Sequence, residues 1–345
     1  MSEEKICTGL DIGTNSLIAA RRNQDGNILY KMQRDAFFEI KPVTKIQSLG
    51  IKNSLDKKEY KYIKQDDSFF IVGKDAVDAA NNRRQNTRRP MQHGILSSKE
   101  AEKSGPMIKL LIKGLIGKAR KEDESCFFTV PAQPMNKQFD IVYHESVITK
   151  FLKDLGYVPV SILEAEAIIY SELEDATGIS LSWGAGMVNV SLMSLGISLL
   201  SFSIPKSGDW VDEAVARTDH KLTSTLVQQI KEHNIDLLNP NDKIEEAISF
   251  YFDNLFKYIV ECLNQEIVDN DIALRLSEPI TMVLAGGCAL AEGFLEKFRS
   301  AVDEYGSNIG FSEENKMDYI TLKDIKLADD PFNAVARGAL MAALL

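Results

Sequence analysis

The sequence predicts an α/β protein with two lobes, each built on a mixed sheet flanked by helices. Three observations carry this prediction. The chain has 345 residues, a length typical of two domains or of one large two-lobed fold. Apolar strand patterns alternate with helical patterns along it. The strand, glycine turn and second strand that open the chain recur near its middle.

The two copies of this unit lie 171 residues apart, about half the chain. The first runs through residues 10–15 (LDIGTN) and the second through residues 181–186 (LSWGAG). Each continues into a further hairpin. Such units are common, so it is the placement of a copy at the start of each half that favours an internal duplication.

The first half predicts further strands and helices in order. The turn at residues 24–27 (QDGN) joins two strands, and Gly73, Pro131 and Gly156 each end an element. Strands are expected at residues 6–10, 17–22, 28–32, 69–72, 126–130 and 158–163. Apolar residues at helical spacing predict helices at residues 107–120 and 140–155.

The second half opens with an uncharged stretch, residues 176–205, that is long enough to span a bilayer. Its glycines, serines and Asn189 predict a buried hairpin instead. Helices are expected at residues 210–216, 222–233, 243–268 and 331–345, the last with a proline in its first turn. A strand is expected at residues 280–285, before a glycine pair.

These elements divide into two lobes. The first is expected to comprise residues 1–175, with a smaller insert at about 38–92, together with the terminal helix 331–345. The second is expected to comprise residues 176–330, with a mainly helical subdomain at about 217–279. The insert is polar and holds an arginine cluster that is either a solvated face or a contact surface for an acidic neighbour. The cluster consists of Arg83, Arg84, Arg88 and Arg89.

Composition narrows the function classes. Lys and Arg number 40 against 50 Asp and Glu, a net charge of −10 that argues against direct binding of nucleic acid. The four cysteines have no CxxC spacing, so a zinc site or disulfide framework is not expected. The start of the chain lacks a signal-peptide pattern, which predicts a cytoplasmic protein. A membrane or adaptor partner cannot be read from the sequence.

The glycine turns are candidate phosphate loops. Glycines such as Gly13 let the backbone approach an anion, and successive N–H groups can point at phosphate oxygens. Asp11 would need a divalent cation between itself and a phosphate; the alternative is an ordinary hairpin. A third glycine pair follows the strand at 280–285 and opens a helix. Neither a Walker loop nor a GxGxxG motif is present.

Five segments in order resemble the motifs of the actin superfamily, which includes DnaK-type chaperones and sugar kinases. The first and second phosphate loops correspond to the two glycine turns, and the adenosine motif to residues 285–287 (AGG). The two connecting helices correspond to residues 164–167 (EAEA) and 330–339 (DPFNAVARGA). Residues 89–94 (RPMQHG) are similar to a stretch of the bacterial filament formers MreB and MamK.

The resemblance implies ATP or ADP and Mg²⁺ in a cleft between the lobes, and head-to-tail self-association into filaments. It makes Asp11 the metal-holding carboxylate and Glu164 the catalytic, water-positioning one; a surface carboxylate is the alternative for Glu164. The implied nucleotide-binding residues are Asp11, Gly13, Thr14, Asn15, Ser182, Gly184, Ala185, Gly186, Gly208, Asp209, Lys231, Glu232, Gly286, Gly287 and Cys288. Lys231 and Glu232 would flank the base.

The second loop departs from the family pattern. Ser182 stands where the family has an aspartate, and Met187 and Val188 stand where it has threonines. Alternatively, Ser182 merely ends a strand and neighbours compensate. Two functions therefore stay open: a cytoskeletal ATPase with slow hydrolysis, and a structural or regulatory actin-like protein without effective ATPase activity.

Overall fold

The structure is a computed structural model that describes residues 5–65, 67–92, 94–96, 101–136, 141–233, 235–272, 276, 278–310 and 320–345. Its strands are β1 Cys7–Ile12, β2 Ser16–Arg22, β3 Ile28–Arg34, β4 Phe37–Ile40, β5 Tyr62–Gln65, β6 Ser68–Val72, β7 Met91–Gln92, β8 Ile95–Leu96, β9 Ser125–Val130, β10 Val158–Leu163, β11 Gly178–Trp183, β12 Val188–Ser194, β13 Ile197–Ile204, β14 Ile280–Ala285, β15 Ile309–Gly310 and β16 Ile320–Leu327. Its helices are α1 Lys45–Lys57, α2 Lys74–Asn81, α3 Ala101–Ile116, α4 Ile141–Asp154, α5 Glu164–Glu172, α6 Gly208–Ala216, α7 Ser224–Lys231, α8 Lys243–Asp269, α9 Phe294–Tyr305 and α10 Ala334–Leu344.

Two large mixed sheets carry the fold, as the sequence predicts. The first has the order β10-β9-β1-β2-β3 and the second the order β13-β12-β11-β14-β16-β15. In both, three consecutive antiparallel strands form a meander whose first strand then pairs in parallel with a later one. The two sheets thus repeat one arrangement of strands.

The glycine turns of the two meanders match in detail. The Gly13 N–H donates to the Ser16 carbonyl at 3.1 Å, and the Gly184 N–H donates to the Met187 carbonyl at 3.0 Å. Each residue of the second pair follows its counterpart by 171 positions. The common geometry supports the internal duplication expected from the sequence. The stretch at 176–205 forms β11, β12 and β13, and among the described residues no helix has the length and hydropathy to cross a membrane.

The polar insert folds around a small sheet of order β4-β6-β5, with α1 and α2 beside it. Its arginines divide between the two alternatives. Arg89 is partly buried and pairs with Asp209 of the second lobe, whereas Arg83, Arg84 and Arg88 are exposed, and Arg88 also pairs with Glu39 of the insert. His93, within the MreB-like stretch, lies outside the described residues. The lobe and insert bounds given above stay predictions.

The terminal helix α10 packs against the first sheet. Its Ala336, Leu340 and Ala343 share an apolar cluster with Cys7 and Ile18. The N-terminal ends of α10 and α5 also contact the second sheet through a cluster that includes Ala167, Val335 and Val283. These two helices therefore connect the lobes, and their crossing lies beneath the cleft.

Several predicted element ends are wrong by a few residues. The last helix begins at Ala334 rather than 331, because the Asp330 side chain binds the Asn333 amide and holds residues 331–333 in a turn. Helix α6 begins two residues early, at Gly208. The helix expected at 107–120 spans Ala101–Ile116. A short 3-10 helix, Gly287–Leu290, replaces the helix expected after the glycine pair.

Candidate functional site

A cleft of about 910 Å³ opens between the lobes, and every site residue expected from the sequence lines it. These sixteen residues are Asp11, Gly13, Thr14, Asn15, Glu164, Ser182, Gly184, Ala185, Gly186, Gly208, Asp209, Lys231, Glu232, Gly286, Gly287 and Cys288. Strands β1 and β11 occupy equivalent places in the two sheets. The ends of both strands lie at this cleft, which Asp11 and Ser182 line. The roles assigned to these residues stay predictions.

Two carboxyl groups, Asp11 and Glu164, lie on the walls of the cleft. Asp11 accepts a hydrogen bond from the Thr129 hydroxyl at 3.1 Å, and this hydroxyl also accepts from the Ile12 N–H. Burial raises the pKa of Asp11. Burial and then the neighbouring charge of Asp11 raise the pKa of Glu164. The pair is therefore short of compensating positive charge.

Asn189 orients Glu164 and was missed by sequence reasoning. Its amide Nδ2 donates to Glu164 Oε2 at 2.9 Å, while its Oδ1 accepts the Ala132 N–H at 3.0 Å. The second bond distinguishes the amide oxygen from the amide nitrogen. Ser182 Oγ donates more weakly to the same carboxylate oxygen, at 3.3 Å. A lone buried amide in the apolar strand β12 was the available signal.

The second glycine loop is held by hydrogen bonds to two of its carbonyls. Gly184 O accepts from the Ser207 hydroxyl at 2.6 Å, from the Cys288 thiol at 3.3 Å and from the Gly208 N–H at 3.4 Å. The Asp209 N–H donates to Ala185 O at 2.8 Å. These contacts join the loop to the start of α6 and to the segment after β14.

The glycine pair after β14 also depends on close approach. Gly286 has a φ of +100°, and a Cβ there would lie 2.5 Å from the Trp183 carbonyl oxygen. Only glycine combines this conformation with this contact. The pair therefore lies directly against the end of β11, beside the second loop.

Charged side chains line the mouth of the cleft, and the ion pair of Arg34 with Glu232 joins the two lobes there. Lys231 Nζ lies 2.8 Å from an Asp212 carboxylate oxygen and donates to Gly208 O at 2.9 Å. Its neighbour Glu232 pairs with Arg34 of β3, in the first lobe. The expected pairing of Lys231 and Glu232 with a base stays a prediction; both already have partners within the protein.

Further bridges come from the first glycine loop and from the insert. Gln228 Nε2 donates to Asn15 Oδ1 at 2.6 Å, and Asn86 Oδ1 accepts from the Ser224 hydroxyl at 3.1 Å. Helix α7 therefore contacts both the first loop and the insert. Sequence reasoning missed Arg34, Gln228 and Asn86 as bridging residues, because such contacts join distant parts of the chain.

Comparison with known proteins identifies the family. The profile of a family named Volactin matches residues 6–343.

The chain belongs to the Volactin family.

A search among curated proteins found no significant match. Solved structures similar to this Volactin-family chain include a MamK double helical filament, with a TM-score of 0.67, 16% identity and 99% of each chain covered. MreB5 of Spiroplasma citri bound to AMPPNP has a TM-score of 0.65 and 15% identity, with 98% of this chain and 96% of that chain covered.

The ethanolamine utilization protein EutJ from Carboxydothermus hydrogenoformans has a TM-score of 0.57 and 12% identity, with 98% of this chain and 90% of that chain covered. At these low identities the likeness concerns the fold. The two-lobed actin-like fold expected from the five motifs is confirmed.

Proposed function

We propose that this chain binds ATP or ADP with Mg²⁺ in the interlobe cleft and assembles into filaments. The observation that carries the proposal is the pair of matched glycine turns, at Gly13 and Gly184, which line one cleft together with two carboxyl groups. Paired turns of this kind can hold a polyphosphate between their backbone N–H groups. Structural neighbours bound to AMPPNP or ADP, and a MamK filament, support both parts of the proposal.

The donor set fits a hard divalent cation. The described residues hold no group of three or more His, Cys, Asp or Glu side chains placed to bind a metal. Mg²⁺ suits a site with few protein ligands, since it is usually held by one or two carboxylates, substrate phosphates and several waters. Asp11 would hold the cation, which would neutralise charge on the phosphates. Burial raises the pKa values of Asp11 and Glu164, and a cation beside them would favour their charged forms.

Glu164 would position the attacking water. Its side chain is buried and held by Asn189, so the carboxylate has a defined direction. Catalysis of phosphoryl transfer consists mainly of positioning and charge stabilisation. Ser182 contributes a hydroxyl in place of a carboxylate, and Met187 and Val188 are buried apolar side chains. Hydrolysis is therefore slow in this proposal.

A second candidate is a structural or regulatory actin-like protein without effective turnover. The apolar residues of the second loop favour it, and Met187 packs against Gly94 of the first lobe. Nucleotide would then act as a ligand that holds the lobes together. Phosphate release at the level of protein-free buffer, with saturable binding, would select this candidate.

Titration with a fluorescent ATP analogue, with and without Mg²⁺, tests binding. Asp11→Asn should abolish the enhancement of affinity by Mg²⁺, whereas the matched control Asp25→Asn, in an exposed turn of the same lobe, should retain it. Absence of saturable binding at millimolar nucleotide would contradict the proposal. Electron microscopy with ATP, with ADP and without nucleotide tests assembly.

A further inference from the structure

Arg89 links the two sides of the cleft through three hydrogen bonds. Its Nη1 donates to both carboxylate oxygens of Asp209 at 2.7 Å, and its Nη2 donates to Gln228 Oε1 at 2.9 Å. The guanidinium belongs to the segment before β7, whereas Asp209 and Gln228 belong to α6 and α7. Only 17% of the Arg89 side chain is exposed, so little water competes for these bonds.

Asp35 is a second carboxyl group beside this arginine. It lies between β3 and β4, is completely buried, and neither of its oxygens has a hydrogen-bond partner among the described residues. The Met91 N–H faces it but falls short of hydrogen-bond geometry. Burial raises the pKa of Asp35 well above its usual range, while the Arg89 charge acts in the opposite direction. Buried groups without partners are rare in folded proteins and call for a reason.

Backbone pairing holds Asp35 and Arg89 in the same neighbourhood. Phe37 and Arg88 exchange two backbone hydrogen bonds, of 2.7 and 2.9 Å, in antiparallel pairing. Two residues before Phe37, the chain therefore lies opposite the segment just after Arg88. Asp35 and Arg89 belong to the same lobe and keep this relation whatever the width of the cleft.

We propose that Arg89 alternates between two acceptors: Asp209 across the cleft when the lobes are closed, and Asp35 within its own lobe when they are open. Opening removes Asp209 and Gln228 and would leave the guanidinium without the groups that accept its hydrogen bonds. Asp35 is the carboxylate that stays beside Arg89, because both residues belong to the first lobe. Two discrete arrangements of one ion pair make the lobe equilibrium two-state rather than continuous.

The exchange also reaches the second glycine loop. The Asp209 N–H is bonded to Ala185 O, so release of Arg89 frees one restraint on that loop. Nucleotide held by the loop would favour the closed acceptor. This last step rests on the proposed function; the exchange between acceptors does not.

Pulsed electron spin resonance on nucleotide-free protein tests the exchange. Spin labels on cysteines introduced at the exposed positions Lys57 and Lys221 report the distance between the insert and the second lobe. Three native cysteines are buried, and burial raises the pKa of the Cys288 thiol to about 11, so the native thiols label slowly. Asp35→Asn should lower the ratio of open to closed protein by roughly tenfold or more, and Asp209→Asn should raise it comparably.

Two controls separate exchange from a general effect of mutation. Glu39→Gln removes the partner of Arg88 in the same insert and should leave the distribution unchanged. In an Arg89→Gln background, Asp35→Asn should have no further effect, because the donor is gone. An unchanged distribution in Asp35→Asn, or an equal shift in the Arg89→Gln background, overturns the proposal.

Addition of ATP and Mg²⁺ distinguishes the two proposals. In wild type it should move the distribution towards the closed distance. If nucleotide changes nothing while the nucleotide-free variants behave as expected, the proposed nucleotide site fails and the exchange stands. If nucleotide closes the cleft equally in wild type and in Arg89→Gln, the coupling of the exchange to the second glycine loop is overturned, and the nucleotide-free variants alone decide the exchange itself.

Discussion

At the residue scale, the carboxyl group of Glu164 couples the cleft to pH. Burial and the charge of Asp11 raise its pKa to about 8, against about 4.3 for a free glutamate. Between these values the folded protein binds more protons than the unfolded chain. Stability linked to this group is therefore present at low pH and is lost as pH rises through the window.

We expect Glu164→Gln to remove this dependence. Between pH 5.5 and pH 8, without divalent cations, the free energy of unfolding of wild type should fall more steeply than that of the variant, by at most about 1.4 kcal/mol per pH unit. Thermal melts across the pH range measure it. Glu166→Gln, on the same helix but not among the cleft-lining residues, is the control and should keep the wild-type slope. Equal slopes in wild type and Glu164→Gln would contradict the assignment.

We expect Ser182 to limit the proposed ATP hydrolysis at the same place. A carboxylate there would lie next to Glu164, because Ser182 Oγ is 3.3 Å from Glu164 Oε2. With Mg²⁺ and ATP, Ser182→Asp should speed hydrolysis by roughly 10²-fold, by analogy with the value of one preorganised electrostatic contact. Without Mg²⁺ the variant should melt at a lower temperature than wild type, since like charges repel. Phosphate release and melts with and without Mg²⁺ measure both effects.

The matched control is Ser182→Ala. It removes the hydroxyl without adding charge, so its turnover should stay as slow as that of wild type. If Ser182→Asp turns over no faster than Ser182→Ala, the missing carboxylate does not limit the rate.

At the element scale, the crossing of α5 and α10 depends on one glycine. A Cβ on Gly338 would lie 1.7 Å from the Ala167 carbonyl oxygen and 3.0 Å from its Cα. Both are backbone atoms of α5, so a rotamer change cannot relieve the clash, and the helices would have to separate. These helices contact both sheets, so the separation would disturb the lobe junction as well as the core.

Gly338→Ala should therefore destabilise the protein by about 1–3 kcal/mol, the range for overpacking a core. Gly114→Ala, in the exposed part of α3 with no atom within 4 Å of the new Cβ, should instead stabilise it by about 0.5–1 kcal/mol. Urea denaturation of both variants measures the two free energies. Equal effects of the two substitutions would show that the crossing tolerates a side chain.

Elements could be predicted from sequence where their signals are local. Alternating and helical apolar patterns located both meanders and the long helix α8, and the glycine turns located the cleft loops. Their ends were less predictable. Helix α6 begins at Gly208, before its first apolar residue, because the Asp209 N–H is held by Ala185. The bonds of Arg34 to Glu232 and of Arg89 to Asp209 and Gln228 join distant parts of the chain, and no local pattern signals these pairings. Asn189 has only a weak local signal, an amide within an apolar strand.

At the scale of the whole molecule, the contacts that join the two lobes determine the angle between them. The lobes are joined beneath the cleft by α5 and α10, and across its mouth by ion pairs such as Arg34–Glu232 and Arg89–Asp209. Changes in lobe angle would alter every surface that spans both lobes. A head-to-tail contact made by both lobes would be such a surface, so we expect cleft closure and the proposed filament assembly to be coupled.

In the proposed filament, we expect net charge to set how assembly responds to salt. Each copy carries −10, so subunits stacked in a filament repel one another through charges that are not paired at the contact. The Debye length is about 10 Å at 0.1 M salt and about 30 Å at 0.01 M, so added salt removes most of this repulsion. If screening removes on the order of 1 kcal/mol of repulsion per contact, the critical concentration for assembly falls about fivefold.

Sedimentation across a salt series, with nucleotide and Mg²⁺ held constant, should show that decrease in critical concentration. KCl and potassium glutamate at equal ionic strength should act alike if general screening is the cause. A critical concentration that rises with salt would mean that ion pairs across the contact outweigh the net repulsion.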